Sequence, residues 1–192
     1  RKVIARRAAA ELIRGAVVNL GIGVPAGVPA VAHEEGLGDI FELSVESGVN
    51  GGVPQMGGDF ALALNAESII EQPLQFNFYD GGGIDVSCLG LAQADASGNV
   101  NVSKFSGRPV GCGGFVNITQ SAKKLVFCGT FTADGLELQI GDGLLKVTKE
   151  GAHRKFINRV EQITFNGPGS VQRRQQVLFI AERAVFHLGA EG

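Results

Sequence analysis

Ile40-Phe41-Glu42-Leu43-Ser44-Val45-Glu46-Ser47-Gly48-Val49-Asn50-Gly51-Gly52-Val53-Pro54 is the stretch from which the rest of the chain is best read. Up to Val45 its polarity alternates, which is the period of a strand with one buried face. Glu46 stands where the apolar run ends, and Gly48, Gly51 and Gly52 follow it. Glycines bury no side chain of their own, but they let backbone approach a ligand closely. A glutamate beside such a turn is most often a solvated charge. At a strand end facing bare backbone, however, a carboxylate suits chemistry better than packing, so Glu46 is the first candidate catalytic residue.

Upstream, Val3 to Ile13 is rich in Ala, Leu and Arg with apolar residues at helical spacing, and Gly15 is placed to end that helix. Ala16–Leu20 reads as a short buried strand. After the loop Gly21–Val24, Pro25 suits the first turn of a second helix running to about Glu35. Helix, strand, helix and strand in quick succession predict an α/β fold with a parallel sheet. Downstream, Phe76–Asp80 alternates like a strand and stops at Gly81-Gly82-Gly83. Ile84–Ala92 and Val100–Ser103 form a hairpin pattern across Asp95–Asn99, and Phe105–Gly114 is a long loop rich in Gly and Pro. Lys124–Gly129 is another strand. Two more hairpins are expected, Leu136–Ile140 with Leu144–Thr148 and Gln176–Ala181 with Ala184–Leu188. No low-complexity linker divides the chain, so residues 1–192 are expected to form one domain.

Composition narrows the function classes. The 192 residues have normal apolar content and a formal charge of −2, and no Lys/Arg run exceeds pairs such as Arg6-Arg7. Disorder and a polyanion-binding surface are therefore not expected, nor a nucleic-acid partner. The 29 glycines are about twice the usual share but follow no period, which excludes collagen and solenoid readings. Cys88, Cys112 and Cys128 are too far apart for a zinc knuckle or a disulfide framework, and His33, His153 and His187 lack metal-ligand spacing. No apolar run approaches membrane-spanning length and no signal-peptide pattern is visible. A cytoplasmic protein without membrane contact is expected, and the leading Arg points to a piece of a longer polypeptide.

Among the remaining motifs, Gly21-x-Gly23 lacks the third glycine of a dinucleotide loop and no Gly-Lys-Ser/Thr follows, though a turn facing an anion stays open. Gly111-Cys112-Gly113-Gly114-Phe115 is either an ordinary loop or a set of unshielded amides aimed at a developing oxyanion. Cys112 has no His or Asn near it in sequence to activate it, and a small buried thiol is the commoner case. The acid of Tyr79-Asp80-Gly81 reads as structural. Ser44 and Ser47 have no base within sequence reach, which weakens a serine-hydrolase reading.

Glu46-Ser47-Gly48 with Gly51-Gly52-Val53-Pro54, followed by Phe78-Tyr79-Asp80-Gly81-Gly82-Gly83, resembles the family I coenzyme A transferases, nearest to the acetate and propionate branch. The likeness continues in order through Asp95 to Ser103, Gly111 to Asn117, Val126 to Thr132, Glu161 to Phe165 and Ala181 to Phe186. It implies a three-layer α/β fold of the NagB/RpiA type, with a mainly parallel sheet and added antiparallel hairpins. It further implies that Glu46 is a covalent nucleophile toward acyl-CoA, that Gly113 and Gly114 supply oxyanion-facing backbone, and that Gly48, Gly51, Gly52, Phe115 and Asn117 bind substrate.

The implied reaction moves CoA from an acyl-CoA to a small carboxylate through an acyl-glutamyl anhydride and a glutamyl-CoA thioester. Coenzyme A is then a substrate, and no cofactor or metal is expected. A carboxylate ionises near pKa ~4.3 and needs no base beside it, which agrees with the lack of a triad. The family builds its enzymes from two related halves. This chain resembles the glutamate-bearing second half, so a preceding or separate α-like half is the expected partner, with a homo-oligomer beyond it. The alternatives are a thioester hydrolase on the same scaffold, and a non-catalytic module that binds CoA or a partner.

Overall fold

A computed structural model describes residues 1–55 and 61–189. Its eight-stranded sheet is formed by β1 (Val17–Leu20), β2 (Glu42–Ser44), β3 (Val49–Asn50), β4 (Ser68–Ile69), β5 (Val86–Gly90), β6 (Lys124–Cys128), β7 (Gln176–Ile180) and β8 (Val185–His187). The spatial order is β8-β7-β6-β5-β1-β2-β3-β4. Strands β2, β1, β5, β6 and β7 run parallel, while β3, β4 and β8 add antiparallel edges. The chain moves outward from β1 to β2 and later returns to β5 on the other side of β1. That reversal is a topological switch point, the place where open α/β sheets bind ligands beyond their strand C-termini.

Helices α1 (Lys2–Ala9) and α2 (Val28–Glu34) cover one face of the sheet. Helices α3 (Gln72–Asp80) and α4 (Phe115–Ser121) cover the other, and α5 (Gly167–Gln172) leads into β7. The alternation along each strand fixes which residue meets which layer. Val18, Leu20, Leu43, Val45, Val86 and Cys88 face α1 and α2, whereas Leu125, Phe127, Val177 and Phe179 belong to the core on the α4 side. The residues between them on β1, β2 and β5, namely Asn19, Ser44 and Ser87, are polar and fully buried.

Several expected elements change form. The first helix stops at Ala9 instead of reaching Ile13. Pro25 opens a short 3₁₀ turn, Pro25–Gly27, that runs into α2. Phe76–Asp80, expected as a strand, is the second half of α3. Pro73 fits its first turn, Gly81 ends it, and Gln75 and Tyr79, four residues apart, form the buried face. The apolar run Ile84–Ala92 gives the central strand β5, and the short Gln93–Ala94 strand makes the hairpin with Val100–Asn101. Strand β7 pairs with β8 as a hairpin and also lies parallel to β6. The hairpin Glu137–Gly141 with Leu144–Lys149 stands close to the expected bounds.

Candidate active site

Glu46 lies just past the C-terminal end of β2, in the turn that reverses the chain into β3. The turn is closed by Val45 N–H to Val49 C=O at 2.8 Å and Gly48 N–H to Val45 C=O at 3.0 Å. Gly48 makes it possible, because its φ is +105° and a Cβ there would sit 2.0 Å from the carbonyl oxygen of Ile70. Alternation sends Ser44 toward α3, Val45 into the α1/α2 core, and Glu46 back toward α3 and α4.

The Glu46 carboxylate meets Gly114, the residue preceding α4. A Cβ on Gly114 would lie 2.6 Å from Glu46 Oε2 and 2.6 Å from Phe76 Cζ, so any larger residue would have to displace one or both side chains. The second glycine-rich loop and the first candidate are thus brought together by the fold. Among the described residues no Lys, Arg or His forms an ion pair with Glu46. Burial alone raises its carboxyl above the usual carboxylate value.

Glu182, at the C-terminal end of β7, is a useful contrast. It is buried, but Arg183 binds it at 2.7 Å and the Phe131 amide donates to it at 3.0 Å. Glu182 is satisfied as a structural acid. Glu46 is half-buried without such partners, a costly state for a carboxylate that serves only packing.

The other expected site residues are spread around this contact. Gly113 precedes Gly114 at φ +52°, exposed, with open space where a side chain would be. Phe115 turns inward, its ring 5.9 Å from that of Phe127, so it presents backbone to the site. Asn117 is exposed and donates from Nδ2 to both carboxylate oxygens of Asp80 at 3.2 Å, which ties α4 to α3. Gly51 and Gly52 lie beyond β3, packed against the Glu67 side chain and the Leu64 carbonyl. They line a groove of about 830 Å³ with His33, Asp39, Glu42 and Gln55, and Glu46 is not among its lining residues. Cys112 is exposed, not buried as expected of a lone thiol, while Cys88 and Cys128 lie in the core and burial pushes the Cys88 thiol up to about 12. Among the described residues no His/Cys/Asp/Glu group is placed to hold a metal, and no helix is long and apolar enough to cross a membrane.

Sequence reading missed the polar floor of the site. Ser44, Asn50, Gln75, Tyr79, Asn19 and Ser87 hydrogen-bond to one another directly beneath the Glu46 turn. The only signal for it was the polar residue inside each apolar strand, Asn19, Ser44 and Ser87.

A half-buried carboxylate held against a glycine at a strand end is the candidate site that this α/β sheet presents. Known proteins narrow the class to which the chain belongs. No protein-family model matches the chain. Acetate CoA-transferase YdiF of Escherichia coli O157:H7 is 45% identical over 192 residues, covering 100% of this chain and 36% of that protein. Caffeate CoA-transferase of Acetobacterium woodii is 47% identical over 193 residues, covering 98% of this chain and 37% of that protein. Crystal structures of YdiF from the same Escherichia coli superpose over 100% of this chain and 36% of their own at 44% identity. The TM-score is 0.93 for the apoenzyme and 0.91 for a thioester complex with CoA.

Along its whole length the chain therefore belongs with the family I coenzyme A transferases, matching their second half. It spans about a third of the length of the full-length curated relatives that it matches (36–37%).

Proposed function

We propose that these residues form the nucleophile-bearing domain of a CoA-transferase that moves CoA from an acyl-CoA to a short-chain carboxylate, with Glu46 as the covalent nucleophile. The observation that carries this is the Glu46 carboxylate, unpaired among the described residues and lying against Gly114. A Glu46 oxygen attacks the thioester carbonyl carbon, the C–S bond breaks, and CoA thiolate leaves an acyl-glutamyl anhydride. The thiolate then attacks the Glu46 carbonyl and expels the acyl carboxylate, giving a glutamyl-CoA thioester. An incoming carboxylate reverses both steps, so Glu46 is regenerated and CoA ends on the new acid. Gly113 and Gly114 would offer amides to the oxygen that gains charge, and Gly48, Gly51, Gly52, Phe115 and Asn117 are the proposed surroundings of the substrate.

Partial burial strips water from the nucleophile, and binding energy from the distant parts of CoA serves to orient the reacting atoms. Coenzyme A enters as substrate and no cofactor is required. That YdiF has been crystallised as a thioester complex with CoA supports the same reading. A preceding or separate α-like half completes the enzyme. Leu74 and Phe78 stand four residues apart on one side of α3, Ile70 lies just before the helix, and all three are exposed, apolar surface of the kind a partner half would cover.

The test uses the complete assembly incubated with acyl-CoA, with borohydride trapping and peptide mapping. The label is expected on Glu46, and Glu46→Gln is expected to lower exchange at least about a thousandfold. Exchange at the normal rate in that variant removes Glu46 from the mechanism. Net release of free thiol in place of transfer to added acetate would identify a hydrolase.

A further inference from the structure

The polar floor is more ordered than packing requires. Ser44 Oγ donates to Asn50 Oδ1 at 2.9 Å, Asn50 Nδ2 donates to Gln75 Oε1 at 3.0 Å, and Gln75 Nε2 donates back to Ser44 Oγ at 2.9 Å. These bonds form a closed ring. Ser44 has one hydroxyl hydrogen, already committed to Asn50, so the 2.8 Å contact between Ser44 Oγ and Tyr79 Oη requires the Tyr79 phenol to donate. Tyr79 in turn accepts from Asn19 Nδ2 at 3.3 Å, and Asn19 Oδ1 accepts from Ser87 Oγ at 3.0 Å. Every hydrogen has one direction. Desolvation first, and the Glu46 charge in addition, raise the Tyr79 phenol further, so it keeps the proton this count demands.

Both legs of the Glu46 turn, Ser44 on one side and Asn50 on the other, are thereby bound to α3. The same helix reaches the opposite side of the site. Phe76 lies against Gly114, its ring 5.8 Å from that of Tyr79 in an edge-to-face pair, and Asp80 holds Asn117 on α4. We propose that α3 is a bracket that sets the separation between the Glu46 carboxylate and the Gly114 backbone, with Tyr79, Gln75 and Phe76 as positioning residues. A satisfied buried network is stiff, and one short helix linking both reacting parts removes their dependence on loop geometry. The bracket rests on the reading of Glu46 as nucleophile.

The experiment is Tyr79→Phe in the complete assembly, which keeps the ring against Phe76 and removes the donor. It is expected to lower kcat about tenfold with KM for acyl-CoA within about twofold, and borohydride still labels Glu46 but more slowly. Phe76→Leu, which leaves the hydrogen-bonded ring intact, is expected to lower kcat in the same way and covers the case in which Tyr79→Phe does not fold. Phe165→Leu, in the aromatic core, supplies a destabilised control with normal kcat. Normal kcat in the α3 variants, or an equal kcat loss in Phe165→Leu, overturns the bracket while an inert Glu46→Gln leaves the nucleophile standing. Exchange by Glu46→Gln overturns the nucleophile itself.

Discussion

One face of the sheet carries two different interiors. Beneath α3, strands β1, β2 and β5 present Asn19, Ser44 and Ser87, which meet Gln75 and Tyr79 in a hydrogen-bonded network. Beneath α4, strands β6 and β7 present Leu125, Phe127, Val177 and Phe179, and Phe127 packs on Phe115, Phe165 and Phe179 with centroids 5.2–5.9 Å apart. Backbone geometry is the same in both regions. Apolar contact is strong but not directional, so it stabilises the layers without fixing any one side chain closely. Hydrogen bonds are weaker in net terms but have direction, and a fully satisfied set specifies one arrangement. The aromatic half carries stability, and the polar half carries position next to Glu46.

Phe127→Ala should have the largest effect on folding. The side chain is fully buried, and its loss is expected to cost about 3–5 kcal/mol in chemical unfolding while kcat stays normal. A drop in kcat as large as that of Tyr79→Phe would break the division of roles. Gly114→Ala comes next: its Cβ would stand 2.6 Å from Glu46 Oε2, and the displaced carboxylate should exchange CoA about a hundredfold more slowly, or about 2.7 kcal/mol of barrier. Normal exchange would show that the contact is incidental. Ser170→Ala sharpens the comparison from the other side. Ser170 Oγ is buried with no hydrogen-bond partner among the described residues, so its removal should stabilise the fold by about 1 kcal/mol, seen as a raised unfolding midpoint.

The smallest expected effect is a pH signature. Burial raises the Glu46 carboxyl, so between its ordinary and raised values the folded chain holds a proton that the unfolded chain has lost. Stability should fall as pH rises through that window and level off above it, while exchange rises through the same window as the nucleophile ionises. Urea unfolding at a series of pH values should show this segment in the parent and not in Glu46→Gln.

Glu46, its glycine turn and the helix-strand-helix-strand opening were legible in the sequence because each is a local pattern with a short period. Phe105–Gly114 reads in the sequence as one long loop, but its first part pairs as a short hairpin, Lys104–Phe105 with Arg108–Pro109, and the approach of its end to Glu46 was not legible at all. Phe76–Asp80 was misread because Phe, Asn, Phe, Tyr and Asp alternate in polarity by coincidence. Only burial of Gln75 and Tyr79 on the sheet makes helical spacing the relevant one. The groove beside Gly51 and Gly52, and the inward turn of Phe115, were equally invisible, since the side on which a residue lies depends on what packs against it.

The amino-acid sequence on its own determined that this chain is an α/β protein with a lone carboxylate at a strand end, because strand period, helix composition and glycine turns are written within a few residues. Tertiary structure alone decided that Gly114 meets that carboxylate and that α3 lies beneath it. Those relations join residues far apart in the chain, and they exist only once the buried donors and acceptors of Asn19, Ser44, Gln75 and Tyr79 have found one another.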